Sequence, residues 1–388
     1  MRILFIANKY TCGRKEYGLS YEHSNFFDCL WHMGHDIMYF DHVVLARKLG
    51  RARMNRRLAE VVGFEKPDLM LSVLTEDELD RNTVRSISDQ GHAATCNWFC
   101  DDHYRFDDYS RHWAPCFHKA VTTAHSALDK YRAAGLTNVI ASQWACNPFS
   151  YRKLNLPLKY DVTFVGTLHS NRRYVLQSLR AAGLNVRCWG INSPRGALTT
   201  QRMIEVFNQS RINLNFSGAS ATAFSGSGHT ATRHWAINAA KELINATPAV
   251  GRWARRVRAV QRGRRASSEK VREALCVQHI PQIKGRNFEL PGCGGFQLSG
   301  RAENIEDYFT NRREVCLFDD VPDLASKVRY YLDNEDERWR IAQAGYDRCR
   351  REHTYVHRFN QVFESLGLPS RDIDVESPPS VGTVEIVD

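Results

Sequence analysis

Two short stretches hold the residues best suited to chemistry. The first, "QIKGRNFELPGCGGF" (282–296), sets Lys284 and Arg286 before one carboxylate, Glu289, then breaks on Pro291 into Gly292, Gly294 and Gly295. Two fixed cations can neutralise a diphosphate. A carboxylate can accept two hydroxyl hydrogen bonds, as from a ribose diol, and glycines let backbone approach a ligand closely. The same charges would serve equally as a surface salt-bridge cluster. The second stretch, "DVTFVGTLHSNRR" (161–173), reads as a strand, a Gly166-Thr167 turn and a helix opening on Asn171, Arg172 and Arg173. A helix start with arginines suits a phosphate; the plainer alternative is a tight turn with two solvated arginines. Two phosphate-suited elements in one half of the chain favour the functional reading. Neither a G-x-G-x-x-G fingerprint at this turn nor a G-x-x-x-x-G-K-[ST] loop is present, which counts against oxidoreductases and P-loop NTPases.

The other half offers groups for an acceptor. "CDDH" (100–103) puts Asp101, Asp102 and His103 at the carboxyl end of an expected strand, where an acid or imidazole could take a proton or hold sugar hydroxyls. A polar turn capping the next segment is the alternative. The loop after the first strand, "NKYTCGRKEYGLSYEHSN", is unusually long and contains Gly18 and Glu22; such loops are commonly lids or binding loops. Glu22, Asp102 and His103 are thus the catalytic candidates, with Gly18 and Asp101 as acceptor contacts. The sequence does not choose among them.

The elements that must position these groups alternate strand and helix. "RILFIAN" (2–8), "HDIMYFD", "PDLMLSVL" (67–74), "AATCNWFCDD" (93–102), "KAVTT" (119–123) and "NVIASQW" (138–144) are apolar runs separated by amphipathic segments. A polar, proline-bearing linker is expected near 147–160. A second series then runs through "DVTFVG", "LNVRCWG", "INLNFSG" and "EVCLFDD" to a helical region over 335–366. Continuous apolar strands alternating with helices predict parallel sheets covered on both faces. The expected organisation is an N-terminal domain over 1–155, a C-terminal domain over 156–368 and a disordered acidic tail over 369–388.

A chain of 388 residues, 43% apolar and 11% aromatic, fits two globular domains. Its eleven cysteines show no paired framework, "MRILFIANKY" starts directly as a strand, and no run approaches the roughly 18 apolar residues of a membrane span. A reducing, cytoplasmic location with mostly free thiols is expected, with peripheral membrane attachment left open. Cys96, Cys100 and His103 lack a second Cys/His pair at zinc-like spacing, so buried free cysteines are the better reading. Residues 218–280 form an expected insertion. Within it, 251–272 carries nine Lys/Arg against one acid, Glu269, in a chain of net charge +10. That arm is either a solvated helix or a grip for an anionic polymer, nucleic acid or membrane surface.

Several stretches resemble the spore-maturation CgeB-type glycosyltransferases, relatives of the GT-B enzymes that use nucleotide sugars. They include "GLSYEHSNFFDCLWHMGHDI" (18–37), "NWFCDDHYRFDDYSRHWAPCF" (97–117), the run from Val121 to Gly166, "FNQSRINLNFS" (207–217), residues 282–296 and "IAQAGYDRCRREHTYVHRF" (341–359). The resemblance implies an α/β GT-B fold, two Rossmann-like doubly wound domains facing across a cleft. Donor would bind mainly to the second domain and acceptor to the first. It further implies Glu289 at the donor ribose, Arg172 and Lys284 at the diphosphate and the 292–295 turn facing the phosphates, with a UDP-sugar the foremost donor and no cofactor. Related retaining enzymes often carry a glutamate eight positions earlier, at the sugar; that position is Pro281 here, which weakens the implied retention. The chain's Asp-x-Asp match, Asp372-Ile373-Asp374, falls in the expected tail, so transfer is expected to be metal-independent. Two alternatives stay open: a transferase acting on modified DNA bases, and a non-catalytic nucleotide- or nucleic-acid-binding protein of the same fold.

Overall fold

The computed structural model describes residues 1–217, 281–375 and 379–387. The expected basic arm at 251–272 lies outside them. In the N-terminal half, strands β1 (Arg2–Ile6), β2 (Asp36–Phe40), β3 (Leu69–Ser72), β4 (Ala94–Phe99), β5 (Lys119–Thr122) and β6 (Val139–Ala141) alternate with helical segments. These are α1 (Asp28–His32), α2 (His42–Leu49), α3 (Arg51–Glu65), α4 (Arg81–Gln90), α5 (Asp102–Arg105), α6 (Arg111–Trp113) and α7 (Leu128–Ala133). The C-terminal half holds β7 (Tyr160–Val165), α8 (Ser170–Ala181), β8 (Val186–Trp189), α9 (Thr200–Asn208) and β9 (Ser210–Asn215). After the undescribed stretch come α10 (Arg286–Gly292), β10 (Gln297–Gly300), β11 (Cys316–Phe318), α11 (Val321–Asp333), α12 (Glu335–Glu352) and α13 (Tyr355–Ser365).

Among the described residues every strand pairing is parallel. The first sheet runs β2-β1-β3-β4-β5-β6 with one further strand outside β2, and the second runs β11-β10-β9-β7-β8. Parallel pairing needs a crossover between strands, so helices cover both faces and the strands read as unbroken apolar runs. Ile3, Leu4, Phe5 and Ile6 are all fully buried, which explains why β1 shows no alternation.

Three boundaries differ from expectation. Residues near 147 were expected in a polar linker, yet Asn147 is fully buried, its amide donating to the Ser24 carbonyl at 3.0 Å and to Asp28 Oδ2 at 2.7 Å. A buried amide supplied with acceptors is compatible with a packed crossover. The chain also returns: α13 belongs by packing to the first half, where Tyr355 and Phe359 lie 4.8 and 5.5 Å, ring to ring, from Phe26. Finally, the expected tail over 369–388 is not disordered throughout. Val384–Ile386 form β12, which pairs with β2 along the sheet edge. Trp31 Nε1 donates to the Gly382 carbonyl at 2.7 Å, and the β-branched run "TVEIV" completes an otherwise unpaired edge.

Candidate functional site

The carboxyl ends of both sets of strands converge on one cleft, and that is where three of the expected cations sit. Arg172 leaves the first turn of α8 and donates to the carbonyls of Thr167 (3.1 Å) and Phe216 (3.0 Å), just beyond β7 and β9. Its Nε is buried without a partner among the described residues. Burial and the neighbouring charge of Arg286 pull its pKa down to about 10. Arg286 opens α10, directs Nε toward the Val165 carbonyl at 3.4 Å and lies with its guanidinium 5.3 Å from the Phe207 ring. The two guanidiniums are held close together on carbonyl oxygens, and the Glu289 carboxylate offsets the charge of Arg286. Gly166 lies beneath them: a Cβ there would stand 2.9 Å from the Phe164 ring and 3.4 Å from Arg172.

Lys284 is positioned by its own neighbours. Its backbone N–H donates to Asn287 Oδ1 at 3.0 Å, and the Asn287 amide reaches Ser299 Oγ, at the end of β10, at 3.3 Å. Its ammonium, however, does not point at open solvent. It crosses the cleft to Asp101 Oδ1 at 2.8 Å, with the two side chains 26% and 35% exposed. Burial would raise the Asp101 carboxyl, but Lys284, His103 and Arg105 together hold it below its ordinary value. The expected diphosphate contact and the expected acceptor contact are therefore bonded to each other. The sequence could not show this, because 183 positions separate them.

Several expectations are corrected by this geometry. Glu289 was expected to face a ribose, yet it is fully buried, hydrogen-bonded by the Tyr151 hydroxyl at 3.0 Å and ion-paired with Arg286. The cause is helical spacing: Arg286 and Glu289 stand three apart on α10, and residues 287–292 are all buried. The turn over Gly292, Gly294 and Gly295 does not face the cleft. Because α10 presents its first residue to the cleft, its last faces the opposite end of the sheet; Pro291 sits inside the helix, which ends at Cys293. Cβ atoms at Gly292, Gly294 and Gly295 would meet Cys146 Sγ at 2.2 Å, Lys153 Cε at 2.4 Å and Asn213 Nδ2 at 2.7 Å. These glycines serve close packing against the chain itself. Asp102 is likewise no cleft residue. It is 1% exposed, accepts from Tyr131 at 2.8 Å and from Ser110, and burial pushes its carboxyl up.

Of the remaining candidates, Glu22 is half-buried, with its carboxyl raised by burial against a hydrogen bond from Ser20. His103 is half-buried, its ring 4.8 Å from that of Tyr104. Thr167 is exposed at the turn. Gly18 has a positive φ of 78° and open space where a Cβ would project. Glu22 and Asp101 both bear on the Cys100 thiol, which burial raises first. Ten cysteines among the described residues are free.

The reading of the sequence missed Glu303. It lies just past β10, its N–H donates to the Pro281 carbonyl at 2.6 Å, and its Oε2 accepts from Gln282 (2.8 Å) and from Ser126 of the opposite domain (3.1 Å). A carboxylate thus stands beside Pro281, the position where the resemblance implies a glutamate. Its one available signal was its place after an apolar strand.

A family model described as "Glycosyl transferase-like" matches residues 233–364, which is 132 of the 388. No curated protein matches the chain. Solved structures do. HepE of Anabaena, in complex with UDP-glucose, is 9% identical over 95% of this chain and 99% of its own, with a TM-score of 0.57. Sucrose-phosphate synthase from Thermosynechococcus elongatus is 6% identical over 94% of this chain and 99% of its own, also with a TM-score of 0.57. A glycosyltransferase from Rickettsia africae is 8% identical over 94% and 97%, with a TM-score of 0.54. The fold is GT-B. At these identities the GT-B neighbours show the architecture. Among the described residues no helix is long and apolar enough to cross a membrane.

Proposed function

We propose that this protein is a glycosyltransferase that moves a sugar from a UDP-sugar to an acceptor held by the N-terminal domain. The observation that carries this reading is the Arg172–Arg286 pair at the carboxyl ends of β7 and β9, with a buried Arg172 Nε that lacks a partner among the described residues. Breaking an anomeric bond to a nucleoside diphosphate leaves negative charge on the departing phosphate. Preorganised cations stabilise that charge without reorganising. In this reading they take the place of a divalent ion, and transfer is metal-independent. Support also comes from the GT-B fold, from a neighbour solved with UDP-glucose and from the resemblance to CgeB-type enzymes.

Lys284 joins the two arginines once donor displaces it from Asp101, and Asp101, Glu22 and His103 face the acceptor. Glu303 is the carboxylate available to sugar hydroxyls, a role that keeps retention as the favoured outcome. The test is calorimetric titration with UDP and UDP-glucose in the presence of EDTA, on the wild type and on Arg172→Ala and Glu303→Gln. Arg172→Ala should weaken both ligands at least tenfold, about the worth of one charge-assisted contact. Glu303→Gln should weaken UDP-glucose and leave UDP unchanged. Equal UDP affinity in wild type and Arg172→Ala would sink the donor site.

A further inference from the structure

The N-terminal domain carries a charge pattern that the donor cleft does not use. Residues 42–57, "HVVLARKLGRARMNRR", hold six Lys/Arg and no acid. Arg47, Lys48, Arg51, Arg53, Arg56 and Arg57 are all exposed on α2 and α3. Arg47 and Lys48 complement the dipole in the last turn of α2, but helix stability does not account for the cations at the start of α3. Arg51 and Arg53 stand in the first turn of α3, which has no acidic residue and no side-chain cap; cations there oppose the helix dipole. Two of the cations are hydrogen-bonded to backbone carbonyls. Arg47 donates to the Gly13 carbonyl at 2.8 Å and Arg51 to the Leu79 carbonyl at 2.6 Å. Both carbonyls belong to loops at the carboxyl ends of first-sheet strands, so this basic surface borders the acceptor side of the cleft.

Apolar side chains are set among the charges. The long loop after β1 leans on α2, where a Cβ on Gly13 would meet Val43 Cγ1 at 2.5 Å. It presents Tyr17 and Leu19, 53% and 48% exposed, beside Arg14 and Lys15, and α2 adds Val44 at 47%. Cations interspersed with exposed apolar groups on a rim are what an interfacial surface needs: charge draws it to anionic headgroups and the apolar groups enter the boundary. A nucleic acid would use the cations and leave Leu19 and Val44 in water.

We propose that the rim formed by α2, the first turns of α3 and the loop 9–19 docks on a bilayer rich in acidic phospholipid. There it would hold the cleft against an acceptor carried at the membrane. The docking itself stands apart from the glycosyltransferase reading; only the statement about the acceptor rests on it.

The experiment is co-sedimentation of the full chain with vesicles of phosphatidylcholine alone, or of phosphatidylcholine with a third phosphatidylglycerol. Wild type should bind the second and not the first, and binding should weaken with salt. The variant Arg14→Gln/Lys15→Gln/Arg47→Gln/Arg53→Gln should lose at least tenfold in partitioning, each charge being worth about fivefold near such a surface. Tyr17→Ser/Leu19→Ser should lose the part of the binding that resists salt. UDP titration on both variants checks that they fold and keeps the donor site separately visible: intact UDP binding with lost vesicle binding supports the rim. Three results would overturn it. They are vesicle binding unchanged in both variants, vesicle binding abolished only by neutralising the arginines of 251–272, and preference of the wild type for duplex DNA over anionic vesicles through the same rim residues.

Discussion

The bond between Lys284 and Asp101 makes a prediction that runs against the ordinary effect of mutating a polar cleft residue. Asp101→Asn should tighten UDP binding. The two side chains meet at 2.8 Å while 26% and 35% exposed, between the exposed pairs worth roughly 0.2–1 kcal/mol and the buried ones whose disruption costs about 3–5. About 1.4 kcal/mol is a reasonable middle value. If the diphosphate must draw Lys284 away from Asp101, the lysine is available in only a fraction of molecules, and the apparent affinity falls by that fraction. Releasing it should improve UDP affinity about tenfold. The pair is intact at assay pH. Asp101 titrates below its ordinary value, so the bond persists at neutral pH and is lost only as pH falls through that depressed pKa. Calorimetry on Asp101→Asn, Lys284→Met and the double variant separates the bond from a general charge effect. Lys284→Met should weaken UDP, and Asp101→Asn should then add nothing. If Asp101→Asn fails to tighten binding, or tightens it equally in the Lys284→Met background, the exchange of Lys284 between partners is refuted.

Three other perturbations test the geometry. Glu289→Ala should unfold the protein several degrees lower even without ligand, since it breaks the buried contacts of Glu289 with Tyr151 and Arg286, a loss of about 3–5 kcal/mol; an unchanged Tm with lost UDP binding would instead return Glu289 to the ribose. Ending the chain after Val375 should lower the Tm and speed amide exchange at Ile37, whose N–H donates to the Thr383 carbonyl at 2.8 Å; identical exchange would mean that β12 does not form in solution. His353 is held neutral, with its pKa pulled to about 4 by burial and then by Arg358. Between that value and the ordinary 6.5 the unfolded chain binds the extra proton, so stability rises with pH across this window and levels off above it. His353→Gln should reduce that slope by up to about 1.4 kcal/mol per pH unit, read from denaturant melts at two pH values; an equal slope in variant and wild type would refute the assignment.

What could be read from the one-dimensional chain was whatever depends on local pattern. The unbroken apolar strands of both halves declared parallel sheets, because a strand covered on both faces needs no polar alternation. The strand–turn–arginine order around Gly166 and Arg172 placed a cation at a strand's carboxyl end, because a helix start follows its strand directly. What the chain could not declare was which face of a short helix looks outward, or which partner a charge would find. Arg286 and Glu289 pair because α10 is buried on nearly all sides, and burial belongs to the packing. Lys284 meets Asp101 because two separately folded sheets turn their carboxyl ends to one cleft. The glycines after Pro291 face away because a helix has two ends and only one can point into that cleft. Glu303 stands beside Pro281 because β10 returns the chain to that place. The last strand joins β2 because a free sheet edge accepts a β-branched segment wherever it lies in the chain. Each of these is a contact between distant residues, and only the tertiary structure decides such contacts.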